Sequence, residues 1–385
     1  MYYLLEREIV EDTMNKLFKS FVLLFLVFAL VACSSGNDAG EKPGEGSSEY
    51  GANSLYLITD VGTIDDKSFN QGSWEGLKQL GDEIGVEAKY LQPAEKSTSA
   101  YLASIAEAAN AGAKIIVTPG FLFENAVFEA QSEYPEVKFI LIDGEPRPES
   151  ADYAPAEYKA NTVGVLYQEE QSGFLAGYAA VKEGLTKLGF MGGMAVPAVV
   201  RFGYGFVAGA DYAAKEMGTK VEVTYTYLNS FNPDPQFTTQ AQSWYNNGTE
   251  AIFVAAGGAG NSVMAAAEAS GKWVIGVDVD QKDESERVLT SAMKNLKGSV
   301  YAMAKSVVEG KFEGGKTDVL TIDTDMVQIS DDLSRFTTFK KADLDAIVAD
   351  LKADKDGIKK NIPNTESGEK ITDIKFENTT VNLFE

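Results

Sequence analysis

Three kinds of side chain recur where this chain leaves an apolar run. Carboxylates come first. Asp60 follows the run at 55–59 (LYLIT), with Asp65 and Asp66 close behind; Asp143 and Asp278 end the runs at 138–142 and 272–277. Aromatic rings come second: Phe69, flanked by Ser68 and Asn70, and Phe202 and Phe206 in the second half. Third are Gly120, the pair Gly257 and Gly258, and Lys294, which follows the run at 288–292. There is no histidine and one cysteine, so Ser-His-Asp and Cys-His catalysis and zinc sites built on His or Cys are excluded. The set also lacks an Arg pair, which a phosphate or carboxylate ligand would recruit. Asp beside Lys suits neutral hydroxyls, which accept from the ammonium and donate to the carboxylate. Phe69 or Phe206 can stack on a flat ring, and Asn70 with Asp60 or Asp66 can read its edge. A flat heterocycle joined to a polyol is a nucleoside, and that is the ligand these residue types suggest. The same types also have structural uses: an Asp after a strand caps the next helix, and a Phe at a helix start enters the core.

Such residues act together only if the elements before them converge. Apolar runs at 55–59, 88–91, 114–118 and 138–142 read as strands, and 69–84 and 101–111 as amphipathic helices. Alternation of this kind implies βαβ units and a parallel sheet. The chain also repeats itself. A shift of 133 residues lays Phe69, Gly72, Gly76 and Gly85 on Phe202, Gly205, Gly209 and Gly218. A shift of about 136 lays the segment at 110–120 on 246–256, and Asp143 corresponds to Asp278 after a one-residue insertion. Two α/β lobes facing each other across a cleft follow, with ligand outside the carboxyl ends of the strands and hinged closure. The expected lobes are 54–163 with about 293–325, and 164–292 with about 326–385. Crossings are expected near 161–165, 290–293 and 320–329. Gly72 with Gly76, and Gly205 with Gly209, are spaced for close helix packing.

The start of the chain reads as an export signal. Lys16 and Lys19 precede an unbroken apolar run at 21–32, and small residues lead into Cys33. Twelve apolar residues are too few to span a bilayer, which takes about 20. The segment resembles the lipobox of bacterial lipoproteins, so Cys33 is the expected lipidation site, and residues 34–53 form a Gly/Ser/Glu-rich tether. Residues 1–13 fit no signal pattern, and Met14 is the expected start. Acids outnumber bases 57 to 34, a net charge of −23. That argues against nucleic acid as partner and suits a protein facing the medium.

The residues from Thr59 to Gln71 (TDVGTIDDKSFNQ) resemble the signature of the basic membrane protein family, also called PnrA-like or TmpC-like nucleoside-binding lipoproteins. The segments at 134–143, 168–177, 205–209, 275–281 and 288–294 match as well, so the resemblance spans nearly all of 54–385. It implies an α/β type I periplasmic-binding-protein fold holding a purine nucleoside such as inosine, guanosine or adenosine. It further implies a membrane-anchored monomer serving the permease and ATPase of an ABC importer, with no enzyme activity, cofactor or metal. By motif position Phe69 and Phe206 flank the base, with Asp60, Asp66 and Asn70 near its edge, and Ser68 is a further expected ligand-binding residue. Gly257 or Gly258, Asp278 and Lys294 hold the ribose. Which of Asp60, Asp65 and Asp66 meets the base stays open, as does the choice between the two glycines. Two rival readings are a calcium-dependent nucleoside hydrolase, whose N-terminal carboxylates the Asp60–Asp66 spacing superficially resembles, and a surface adhesin or receptor. Ile58 where that hydrolase motif has Asp, and one residue inserted before Asp65, count against the first.

Overall fold

The computed structural model describes residues 50–150, 154–364 and 370–384; Cys33, the apolar run before it and most of the tether lie outside the described residues. The first sheet is built from β1 (Leu55–Ile58), β2 (Lys89–Leu91), β3 (Ile115–Pro119), β4 (Lys138–Ile142), β5 (Thr162–Tyr167) and β11 (Lys316–Leu320). The second holds β6 (Lys187–Gly192), β7 (Val221–Tyr227), β8 (Ala251–Ala255), β9 (Trp273–Asp278), β10 (Val288–Lys294), β12 (Val327–Ile329) and β13 (Thr379–Leu383). Their orders are β11-β5-β4-β3-β1-β2 and β12-β10-β9-β8-β6-β7-β13. All neighbours are parallel except β10 and β12. Central strands such as β1, β3 and β8 are buried throughout, which is why they read as continuous apolar runs rather than alternating ones.

The sequence repeat is an architectural repeat. The orders β2-β1-β3-β4-β5 and β7-β6-β8-β9-β10 are the same path traced twice. In each, strand order reverses beside the first strand, and the crevice at that switch point opens at the carboxyl ends. The helices are α1 (Phe69–Ile84), α2 (Thr98–Ala111), α3 (Glu124–Glu133), α4 (Glu169–Lys182), α5 (Pro197–Met217), α6 (Pro235–Asn246), α7 (Gly260–Ser270), α8 (Leu296–Val308) and α9 (Lys341–Lys352). α2 starts three residues before the expected 101, because the Ser97 side chain accepts from Ala100 N and caps it. α5 starts at Pro197, with the proline in its first turn.

Two of the three crossings differ from those expected. β5 and β10 complete their pairing with their own sheets before the chain leaves, so the first two crossings fall at Gln168 and Asn295 rather than at 161–165 and 290–293. The third link runs through residues 321–326, between β11 and β12. Each crossing delivers a helix to the opposite lobe: α4 packs on α5, and α8 packs on α1. Both pairs depend on glycine. A Cβ on Gly209 would lie 1.9 Å from Phe174 O, and one on Gly76 would lie 2.5 Å from Lys297 O. Among the described residues no helix is long and apolar enough to cross a membrane.

Candidate ligand-binding cleft

Between the carboxyl ends of the two sheets lies a cleft lined by residues from both lobes, where ligands of open parallel sheets bind. One wall comes from the β1–α1 loop. Asp66 caps α1: its Oδ1 accepts from Ser68 N at 2.9 Å and Gln71 N at 3.1 Å, and its Oδ2 from Asn70 N at 2.9 Å. Asn70 Nδ2 donates to Asp60 Oδ1 at 3.2 Å and Asp66 Oδ2 at 3.0 Å. Those two carboxylates settle the amide's orientation, since a flip would set oxygen against oxygen. Asn70 Oδ1 is left buried without a partner on a residue that lines the cleft. Asp65 is exposed and accepts from Thr63 Oγ1 instead. Of the three clustered carboxylates, then, Asp60 and Asp66 line the cleft and Asp65 does not. Burial raises the pKa of Asp60, and it pushes Asp66 up to about 6 against the pull of its N–H donors.

The phenylalanines lining the cleft are Phe69, Phe121, Phe202 and Phe231. Phe206, expected to flank the base, is fully buried one turn beyond Phe202, with its ring 5.2 Å from that of Phe253. Because α5 begins at Pro197 rather than near Phe202, it is Phe202 that reaches the opening and Phe206 that meets the sheet. Gly257, in the left-handed region at φ 53°, and Gly258 both line the cleft after β8. A Cβ on Gly257 would lie 3.7 Å from the Phe231 side chain.

The polar end is a buried charge cluster. Lys294 is the last residue of β10. Its Nζ lies 2.5 Å from Asp143, 3.3 Å from Glu169 and 3.6 Å from Asp278. The same ammonium sits 4.7 Å from the Phe69 ring centre and 5.5 Å from that of Phe202, so it joins the aromatic and charged halves. Asp143 follows β4 and Asp278 ends the corresponding strand β9, and both adopt left-handed backbone, at φ 56° and 67°. Arg201 Nε donates to Glu169 Oε2 at 2.5 Å. Burial raises the pKa of Asp143 and Asp278, partly offset by Lys294. Burial would raise Glu169 too, but Arg201 and Lys294 outweigh it and hold that carboxyl below its usual value. Asp143 Oδ1 is buried and without a partner. Ser68 does not line the cleft; its Oγ donates to Asp278 Oδ2 at 2.6 Å, tying the two lobes together.

Phe202 and Asp143 stand among the residues that follow the apolar runs but not in the set given by motif position, and Phe231, Glu169 and Arg201 are in neither set. The first two carried a signal: Phe202 is the repeat partner of Phe69, and Asp143 that of Asp278. The other three reach the site through contacts far apart in sequence.

The model of a protein family described as ABC transporter substrate-binding protein PnrA-like matches residues 54–363. The ABC transporter nucleoside-binding protein BmpA of Lactococcus lactis subsp. cremoris is 31% identical over 77% of this chain and 85% of its own length. Basic membrane protein A2 of Borrelia garinii subsp. bavariensis is 32% identical over 79% and 84%. Among solved structures, an ABC transporter solute-binding protein from Aeropyrum pernix K1 superposes with a TM-score of 0.65 at 24% identity. That match covers 80% of this chain and 89% of the other, and the likeness shows a shared type I solute-binding fold. This chain belongs to the PnrA-like family of ABC transporter substrate-binding proteins.

Proposed function

We propose that this protein captures a purine nucleoside outside the cytoplasm and delivers it to an ABC importer, held at the membrane by a lipid on Cys33. The observation that carries the ligand is the division of the cleft. One half offers Phe69 and Phe202 as ring platforms, with Asp60 and the unpartnered Asn70 Oδ1 as edge-reading acceptors. The other half offers Asp143, Asp278 and Lys294, a mixture of acceptors and a donor that suits vicinal hydroxyls. The name of the Lactococcus relative supports the same class. The mechanism is binding without bond chemistry: contacts on both lobes favour a closed form by differential affinity, and the closed form docks on a permease. The carboxylates of the β1–α1 loop favour this over hydrolysis with calcium. The Asp66 oxygens are taken by N–H donors, and Asp65 faces away.

Calorimetry of the purified protein with inosine, guanosine and adenosine tests the ligand. At least one saturable heat is expected, and none with any of the three refutes the class. The anchor has its own test: the membrane-extracted protein should have the intact mass of a chain beginning at Cys33 plus a diacylglycerol-type adduct, and Cys33→Ser should abolish both the adduct and that cleavage.

A further inference from the structure

Gln281 belongs to a segment shared with the family signature, yet it does not line the cleft. It is 2% exposed, and both ends of its amide are hydrogen-bonded. Oε1 accepts from Val277 N at 2.8 Å within its own lobe. Nε2 donates at 2.8 Å to the carbonyl of Lys67 in the other lobe. Its backbone N–H donates to Ser291 Oγ at 3.0 Å. A flipped amide would lose both side-chain bonds, so donor and acceptor are assigned by their partners. The receiving loop is held for this contact. Lys67 lies in the left-handed region at φ 62°, its N–H donates to Gln71 Oε1 at 3.2 Å, and the next residue, Ser68, bonds Asp278. The seat for the glutamine is a glycine: a Cβ on Gly276 would lie 2.6 Å from Gln281 Oε1 and 2.7 Å from Ser291 Oγ.

We propose that Gln281 is a positioning residue: seated on Gly276, it ties the β1–α1 loop to the end of β9, sets how the two lobes meet, and so tunes ligand affinity without touching the ligand. The loop it holds carries Asp66, Phe69 and Asn70, and the strand end carries Asp278, so one buried amide fixes the spacing between the two halves of the cleft. The ligand readout rests on the nucleoside reading above; the tie itself does not. A free ligand pays the cost of assembling the lobes only to the extent that the protein has not already met it.

The test uses Gln281→Glu, which keeps an acceptor for Val277 N and loses the donor to Lys67, and Gly276→Ala, which displaces the glutamine from the other side. Guanosine and adenosine are titrated, and dissociation is followed by stopped flow. Spin labels on cysteines placed at the exposed Ser99 and Thr239, one on each lobe, in a Cys33→Ser chain report the interlobe distance. In both variants the affinity for each nucleoside should fall about tenfold, as expected for a lost buried hydrogen bond. Dissociation should be faster, the guanosine-to-adenosine ratio unchanged, and the ligand-free distance distribution broader than in the parent. Affinities within twofold of the parent, or an unchanged distance distribution, overturn the proposal; so does a shifted ratio, which would place Gln281 in ligand recognition. If the parent binds no nucleoside, the nucleoside reading fails and the distance measurement alone decides the tie. Should Gly276→Ala fail to fold, Gln281→Glu, which preserves shape, carries the test.

Discussion

Lys294→Met is the sharpest perturbation, because it keeps the unbranched apolar stem and removes the ammonium with its charge and its donors. In the native cluster one ammonium, 2% exposed on its side chain, faces three carboxylates at 2.5, 3.3 and 3.6 Å. At an effective dielectric of about 20 those distances correspond to a gross attraction of about 16 kcal/mol. Most of that is offset by the desolvation of four buried charges. What an experiment reads is the cost of stranding the partners, about 3–5 kcal/mol for a broken buried pair. Arg201 remains beside Glu169, so the stranded groups are chiefly Asp143 and Asp278, whose pKa values burial already raises. Without the ammonium both rise further and take up protons at lower pH, which removes the stranded charge. Urea unfolding should therefore show a loss of about 3–5 kcal/mol at pH 8 and a smaller loss at pH 5. A loss below about 1 kcal/mol at both pH values would refute the view that the ammonium anchors a buried network. So would a loss that does not change with pH.

The remaining predictions separate binding from packing. Phe202→Ala should weaken nucleoside binding by about 1–3 kcal/mol, the range for a lost stacking platform. Phe206→Ala should instead lower stability by about 3–5 kcal/mol, as for a fully buried ring, and calorimetry with thermal melts on both variants distinguishes the two. Asp278→Ala should reduce affinity severalfold to about a hundredfold, since a buried hydroxyl loses a charged acceptor; parent-like titrations would place that carboxylate outside recognition. Asp66 has its folded-state pKa raised from 3.8 to about 6. Between those values the native chain holds a proton that the unfolded chain has released, so its contribution to stability is present below pH 4 and lost as pH rises through 6. The parent should therefore lose about 3 kcal/mol from this group across that window. Asp66→Asn should show a flatter pH dependence in denaturant titrations.

Much of the fold was legible because burial on both faces of a parallel strand leaves a continuous apolar run, and because the chain repeats. The shift of 133 residues pairs Phe69 with Phe202, and the insertion after residue 272 pairs Asp143 with Asp278. Read strictly, the repeat names two cleft residues that motif position passed over. What it does not give is phase: Phe202 and Phe206 are four residues apart on one helix face, and only the start of α5 at Pro197 decides which reaches the opening. The first two crossings were misplaced for a similar reason. The stretch 161–165, expected to cross between lobes, lies inside β5 from Thr162 on, where Gly164 pairs with Leu141 and Thr317. Glu169, Arg201 and Gln281 were illegible because their partners are far away in the chain: Lys294 lies 125 residues from Glu169, and Lys67 lies 214 from Gln281.

The placement of the charge cluster links recognition to closure. Lys294 ends β10 and is followed at once by the crossing at Asn295; Glu169 opens α4 immediately after the crossing at Gln168. The ammonium and its buried carboxylate thus sit on the two strand-to-helix links about which the lobes must turn. Groups beside a hinge move least when a cleft opens, so on the proposed nucleoside reading the end assigned to the hydroxyls should stay assembled while the aromatic and edge-reading walls separate. A ligand can then be held first by its polyol and be enclosed afterwards, which makes loss of Lys294 a fault in initial capture and loss of Gln281 a fault in retention. The two variants should differ in kinetics as well as affinity: Lys294→Met should slow association, and Gln281→Glu should speed dissociation. Equal effects of both variants on the association rate would refute this order of events.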